Sequence, residues 1–154
     1  MKKIKRRLFR LSLKARQQGA ALLEFALLLP LILLLTLVTT EFGRAILHYN
    51  MLTKSVREAA RYMSHQTPGT HVREARNLIL YGNPEGTGSP TLSDLKSEHI
   101  QDPVWQVTGS SPAMTTVTLR VTGYSFKSLA NQVGGNHLGS FTFSDISATM
   151  RGAL

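Results

Sequence analysis

Gly19, Ala20, Glu24 and Phe25 are the residues whose types and spacing could carry chemistry, namely scission of a peptide bond followed by charge pairing. A glycine preceded by Gln17 and Gln18, at the edge of a leucine-rich run, offers a protease an accessible and unhindered bond. Cleavage after Gly19 would give Ala20 a new α-ammonium and make Glu24 the fifth residue of the product. A carboxylate that far inside an apolar segment is costly unless it finds a partner. On one helix the ammonium and Glu24 stand about one turn apart. In a stack of like helices, the glutamate of one subunit can instead meet the ammonium of its neighbour. Such a pair is strong in low dielectric, and a wrong register is penalised because it strands a charge.

Other chemistry finds no footing. His48, His65, His71, His99 and His137 are scattered and lack the i,i+4 spacing of a helical zinc pair. Glu98-His99 is a lone pair of neighbours. Gly82 to Gly88 follows a helix instead of preceding one and lacks the lysine of a phosphate loop, and no G-x-S-x-G is present. With no cysteine, disulfide and thiolate chemistry are excluded. The expectation is a protein without catalytic residues, metal or cofactor.

The elements that position the motif begin with charge. The net charge of +9 is concentrated ahead of Gly19, where eight Lys/Arg stand without an acid. From Gly19 onward the remaining ten Lys/Arg face all nine Asp/Glu. A basic segment beside an apolar run holds that end in the cytoplasm, so the bulk of the chain is expected on the other side. No aromatic interleaving supports nucleic-acid contact. Residues 1–19 therefore read as a basic leader and 20–40 as a transmembrane half-helix, just long enough for a hydrocarbon core of about 30 Å. Pro30 lies inside that run, where a bilayer tolerates it, and marks an expected kink or loosened turn near Ala26 to Pro30. A conventionally cleaved secretory signal fits less well, because Leu37 to Phe42 offers no small-x-small site and the helical pattern continues past it.

Residues 41–64 form the amphipathic half of the same helix. Phe42, Ala45, Ile46, Tyr49, Leu52, Val56, Ala59, Ala60 and Met63 recur at steps of three and four, opposite Arg44, His48, Lys54, Arg57, Glu58 and Arg61. Residues 20–64 are thus expected as one helix of about 65 Å, its second half packed on a soluble domain. Arg57, Glu58 and Arg61 read as a solvated face with a charge pair three or four residues apart. Gln66 to Thr70 ends the helix. Within residues 65–154, Val72 to Tyr81 is a short second helix, Gly82 to Pro90 a loop, and Thr91 to Asp102 ambiguous. Val104 to Thr108, Thr116 to Phe126 and Ser140 to Met150 read as strands, the first two joined in a hairpin by Gly109 to Pro112. Leu129 to Gly139 is a long connection, and a break is expected near Ser144-Asp145. The fold class is α+β: a long N-terminal helix, a membrane half plus an amphipathic half, packed on a small antiparallel sheet.

Gly19/Ala20…Glu24-Phe25 behind a basic leader resembles the class III, type IV-like prepilin signals of the Tad/Flp pilus system. The continuation GAALLEFALLLPLILLLTLVTTEFGRA, the helix end VREAARYMS and the terminal ATMRGAL resemble a TadE-like minor pseudopilin. The resemblance covers the first 64 residues well, the last strands loosely and residues 65–115 hardly at all. It implies cleavage between Gly19 and Ala20 by a prepilin peptidase, with Glu24 and Phe25 as the motif that sets subunit register. It further implies an inner-membrane, single-pass protein with its N-terminus cytoplasmic and its C-terminal domain periplasmic. Its partners would be other pilin-like subunits, through the N-terminal helix, the pilus assembly platform and the bilayer, in the service of adhesion and biofilm formation. The alternative is an unprocessed single-pass membrane protein whose outer domain binds a ligand or partner.

Overall fold

The computed structural model describes residues 2–128 and 140–152, with side chains from Gly19 onward. The expected connection from Leu129 to Gly139, and the last two residues of ATMRGAL, lie outside the described residues. The chain divides into two units, residues 1–42 and 43–154, each described by itself.

Helix α1 runs Lys2–Ser64. It begins well before the expected residue 20. The basic segment ahead of Gly19 holds no proline and no glycine, and its many Lys, Arg, Leu and Gln residues are good helix formers. In the first unit, every side chain from Gly19 to Thr40 is exposed. The run reaches a mean hydropathy of 2.6 over 18 residues, none of that window being buried, so α1 carries one stretch long and apolar enough to cross a membrane. Three hydroxyls in it are satisfied internally. Thr36, Thr39 and Thr40 donate to the carbonyls of Ile32, Leu35 and Thr36, each at 2.8 Å. This is the back-bonding by which such residues sit in lipid without a stranded polar group.

In the second unit α1 closes with Gln66 N–H donating to the Met63 carbonyl at 2.9 Å, just ahead of Pro68 and Gly69. Helix α2, Val72–Tyr81, buries Ala75, Ile79 and Leu80. It stops at Gly82, whose φ of 75° lets its N–H reach back to the Leu78 carbonyl, a left-handed closure that glycine adopts without penalty. The ambiguous stretch after it contains a 3-10 turn, Ser97–His99, and an isolated antiparallel bridge from Ile100 to Val121.

Among the described residues five strands follow: β1 Val104–Thr108, β2 Met114–Val121, β3 Ser125–Phe126, β4 Phe141–Thr142 and β5 Ile146–Arg151. β1 and β2 form the expected hairpin, and β5 pairs with the far edge of β2, all antiparallel, giving the order β1-β2-β5. The expected strand from Thr116 to Phe126 is two strands. Gly123, at φ 69°, breaks it, and β3 pairs with β4 in a separate two-stranded ribbon. The expected break near Ser144-Asp145 separates β4 from β5.

Alternation decides the sheet's faces. Val117, Leu119 and Val121 of β2 and Ile146 and Ala148 of β5 point inward and are buried, with Trp105 and Met150 partly so. They meet Leu52, Val56, Ala59, Ala60 and Met63 of α1, together with Ala75, Ile79 and Leu80 of α2, in one core. The helix-on-sheet α+β arrangement is therefore as expected. One detail differs. Ile46 and Tyr49, placed on the packing face by their spacing, are 48% and 41% exposed, while His48, placed on the polar face, is half-buried. The inward arc of these two turns is held by Ala45 and His48, because the ribbon β3–β4, not the main sheet, covers them.

Candidate functional site

The motif residues sit on the first unit of α1. Gly19 and Ala20 lie inside the helix, not at an end of it, so a protease acting on their bond must first open a turn. A Cβ built on Gly19 would meet nothing within 4 Å. Packing within this chain therefore gives no reason for the absence of a side chain there. Glu24 and Phe25 follow on the same exposed helix, Phe25 being 57% exposed. No ion pair to Glu24 is found among the described residues. Its carboxylate stands in an apolar run whose nearest charged neighbour toward the C-terminus is Glu41, so any partner must come from a neighbouring molecule, from the chain before Gly19, or from the terminus that cleavage would create.

Pro30 lies within α1 without ending it. Having no N–H, it leaves the carbonyl of Ala26 without its donor four residues on, which weakens the helix at that turn. All five sequence-predicted residues thus fall on one helical stretch of twelve residues, from Gly19 to Pro30, and all are exposed.

The helix end V-R-E-A-A-R has a separate role. Ala59 and Ala60 are fully buried against the core, while Arg57, Glu58 and Arg61 are exposed. Lys54 Nζ lies 3.8 Å from Glu58 Oε1, so Glu58 pairs four residues back with Lys54. Small side chains are needed where helix backbone approaches sheet; the charges are solvated. Met150 and Arg151 divide in the same way across β5, Met150 half-buried and Arg151 exposed.

Sequence reasoning missed an aromatic cluster on the first turns of the second unit. The Nδ1 of His48 and the hydroxyl of Tyr124 share a hydrogen bond of 3.0 Å. The His48 ring meets Phe126 edge-on at 5.2 Å, and Tyr49 meets Phe143 at 5.6 Å. Phe141 bridges Phe126 and Phe143 at 5.4 and 5.5 Å. The Arg44 guanidinium stands 5.4 Å from the centre of the Phe126 ring, a cation–π distance. Burial, and then the positive charge of Arg44, push His48 below the ordinary histidine range, Asp94 opposing them. Burial also pushes the Tyr124 phenol up, assisted by Asp94. The signal in the sequence was weak: the aromatic residues come from α1 and from residues in or next to β3 and β4, and only the fold collects them.

A groove of about 540 Å³ crosses the outer face of the sheet, between Gln106, Thr118, Arg120 and Thr149. Several of its polar groups bond to one another or to neighbours. Thr118 and Thr149 share a 2.8 Å hydrogen bond, Asp102 accepts from Arg76 at 2.7 Å, and Arg120 pairs with Asp145 at 3.8 Å. That leaves it no convergent set built to hold a ligand.

No curated protein and no solved structure is similar enough to match. A family model described as TadE-like protein matches residues 19–61, from the glycine of the motif to the last arginine of V-R-E-A-A-R. The resemblance to a TadE-like protein read from the residues is therefore borne out over that stretch.

Proposed function

We propose that the chain is a minor pilin-like subunit, a pseudopilin, processed by a prepilin peptidase between Gly19 and Ala20 and needed for assembly of Tad/Flp adhesive pili. One observation carries the reading. Gly19 has no steric reason to be glycine, yet it stands five residues ahead of an acid embedded in an exposed apolar helix. A protease subsite and a neighbouring subunit are the two readers that such a pattern would serve. In this proposal residues 1–19 are the leader, 20–40 the membrane half of the helix and 41–64 its amphipathic half, with 65–154 in the periplasm. Glu24 pairs with the Ala20 ammonium of an adjacent pilin-like subunit and fixes register, Phe25 completes the motif, and the turn at Pro30 loosens as the helix leaves lipid for the assembly platform.

Mass spectrometry of the membrane-inserted protein from cells containing the peptidase tests the first step: a mature N-terminus at Ala20 is expected, and any other start refutes the processing site. Glu24→Ala tests the second. Cleavage should continue while piliation falls at least about tenfold, the loss for one charge left unpaired in apolar packing at about 1.4 kcal/mol or more. Normal piliation by that variant would remove the register role. If the leader stayed attached in functional protein, the unprocessed single-pass reading would replace this one.

A further inference from the structure

We propose that the open edge of β1 is a self-pairing surface, where a second copy of this chain adds its own β1 antiparallel and joins the two sheets into one. The contact lies wholly within the second unit and depends on neither the processing site nor the membrane span. In the order β1-β2-β5, β1 is an outer strand, and among the described residues no strand pairs with its other side. Four of its five residues are exposed, Val104 at 52% and Val107 at 70%. Edges are ordinarily guarded by charge, proline or a bulge. The opposite edge, β5, starts behind Asp145 and ends on Arg151. β1 reads Val-Trp-Gln-Val-Thr, without charge or proline, and its ladder with β2 runs without a bulge.

The ladder also fixes which backbone groups are free. Gly152 N–H donates to the Thr115 carbonyl at 2.8 Å, so Thr115, and by alternation Val117, turn their peptide groups toward β5. Met114, Thr116 and Thr118 then turn theirs toward β1, where they face Thr108, Gln106 and Val104. The peptide groups of Trp105 and Val107 are left pointing outward. That spacing is its own complement. About a two-fold axis at Gln106, Trp105 of one copy stands opposite Val107 of the second, and Val107 opposite its Trp105. Each pair is placed to exchange both N–H···O bonds. An aromatic ring facing a β-branched side chain is a favourable cross-strand pair, and this one covers the Val107 that a single chain leaves open. Gln106 meets Gln106 and Val104 meets Thr108, so no like charges are opposed. The occupant is therefore a second copy: one register satisfies hydrogen bonding, side-chain type and symmetry together. A contact of five residues per chain is small against the roughly 1,200–2,000 Å² of a stable complex, so the pairing is reversible and cross-linking is the way to read it.

The chain has no cysteine, so one substitution gives one thiol. Residues opposed in a non-hydrogen-bonded antiparallel pair have Cα atoms about 4.5 Å apart, within disulfide reach. With full-length protein in an excess of detergent micelles, mild oxidation should link Gln106→Cys into dimers at least about tenfold faster than Ser147→Cys, which is exposed on the same face of the sheet. Val104→Cys and Thr108→Cys should link when mixed and not singly. Val107→Pro removes an outward N–H and spares the ladder to β2; added to Gln106→Cys, it should slow linkage at least about tenfold with Trp105 emission unchanged. Val107→Lys, a charge at an exposed position, should do the same and serves if proline disturbs the fold. Equal linkage at Gln106 and Ser147 overturns the self-pairing, and is also the outcome if a different protein covers this edge. Failure of the mixed pair to link, or linkage at Gln106 that survives both Val107 variants, overturns it as well.

Discussion

Replacing Ala60 with leucine tests whether V-R-E-A-A-R is a packing motif or a contact motif. Ala60 is fully buried in the core shared by α1 and the sheet. Leucine adds three carbons where no solvent-filled gap can take them, and overpacking of that kind costs about 1–3 kcal/mol. Arg61, one residue on, is exposed, and its replacement by alanine should stay within about 0.5 kcal/mol. The single tryptophan, Trp105, is half-buried on the inner face of β1 and reports unfolding of this core directly. In urea, with a slope near about 1.5 kcal/mol/M, a loss of about 2 kcal/mol lowers the midpoint by about 1.3 M. Arg61→Ala should move it by less than about 0.3 M. The measurement is made on the full chain in detergent micelles, following Trp105 emission. If Ala60→Leu leaves the midpoint in place, or Arg61→Ala lowers it as far, the buried alanines are not what the motif protects.

Two further outcomes follow from the same core. Leu119→Ala empties a site that is 1% exposed and should cost about 2–5 kcal/mol, whereas Val107→Ala on the open edge strand, 70% exposed, should stay within about 0.5 kcal/mol; comparable losses from both, in the same unfolding assay, would contradict the placing of Leu119 in the core and Val107 outside it. The second concerns pH. His48 is lowered by burial and by Arg44, against Asp94, so the folded state binds fewer protons than the unfolded chain just below pH 6.5. Stability is then complete above about pH 6.5 and declines as pH falls through the lower folded-state value. Tyr124 is shifted the other way: its contribution is complete below about pH 10 and is lost as pH rises through its raised value. His48→Gln should flatten the acid limb of a thermal-midpoint-versus-pH curve; an unchanged limb would show that another group controls it.

Much of this was legible from spacing because helix and strand periods are properties of the backbone. Leu52, Val56, Ala59, Ala60 and Met63 fell on one arc, and Val117-Leu119-Val121 on one face, as expected. Which arc is covered depends on what packs there, and that is a tertiary fact. Over Arg44 to Tyr49 the cover is a two-residue-wide ribbon, so His48 turns inward to Tyr124 while Ile46 and Tyr49 remain exposed. Strand order was equally beyond the sequence, since β5 returns to the edge of β2 from a position that no local signal names. The motif from Gly19 to Phe25 was legible for the opposite reason. Its residues are ill-suited to anything this chain does within itself, and a misfit of type and position is visible without coordinates.

The three threonine back-bonds at the end of the apolar run bear on hydrophobic mismatch. With their hydroxyls already bonded to carbonyls of the preceding turn, Thr36, Thr39 and Thr40 can lie in hydrocarbon or in water at similar cost. The hydrophobic length of the helix is therefore not one value. Counted from Ala20 it extends from about 24 Å, ending at Leu35, to about 31 Å, ending at Thr40. Bilayers differ in thickness by a few ångströms, and each ångström of mismatch costs a fraction of a kcal/mol. An apolar helix with an adjustable C-terminal end can match thinner and thicker bilayers without tilting, and can shift along the bilayer normal before Glu41 or the cations ahead of Gly19 resist.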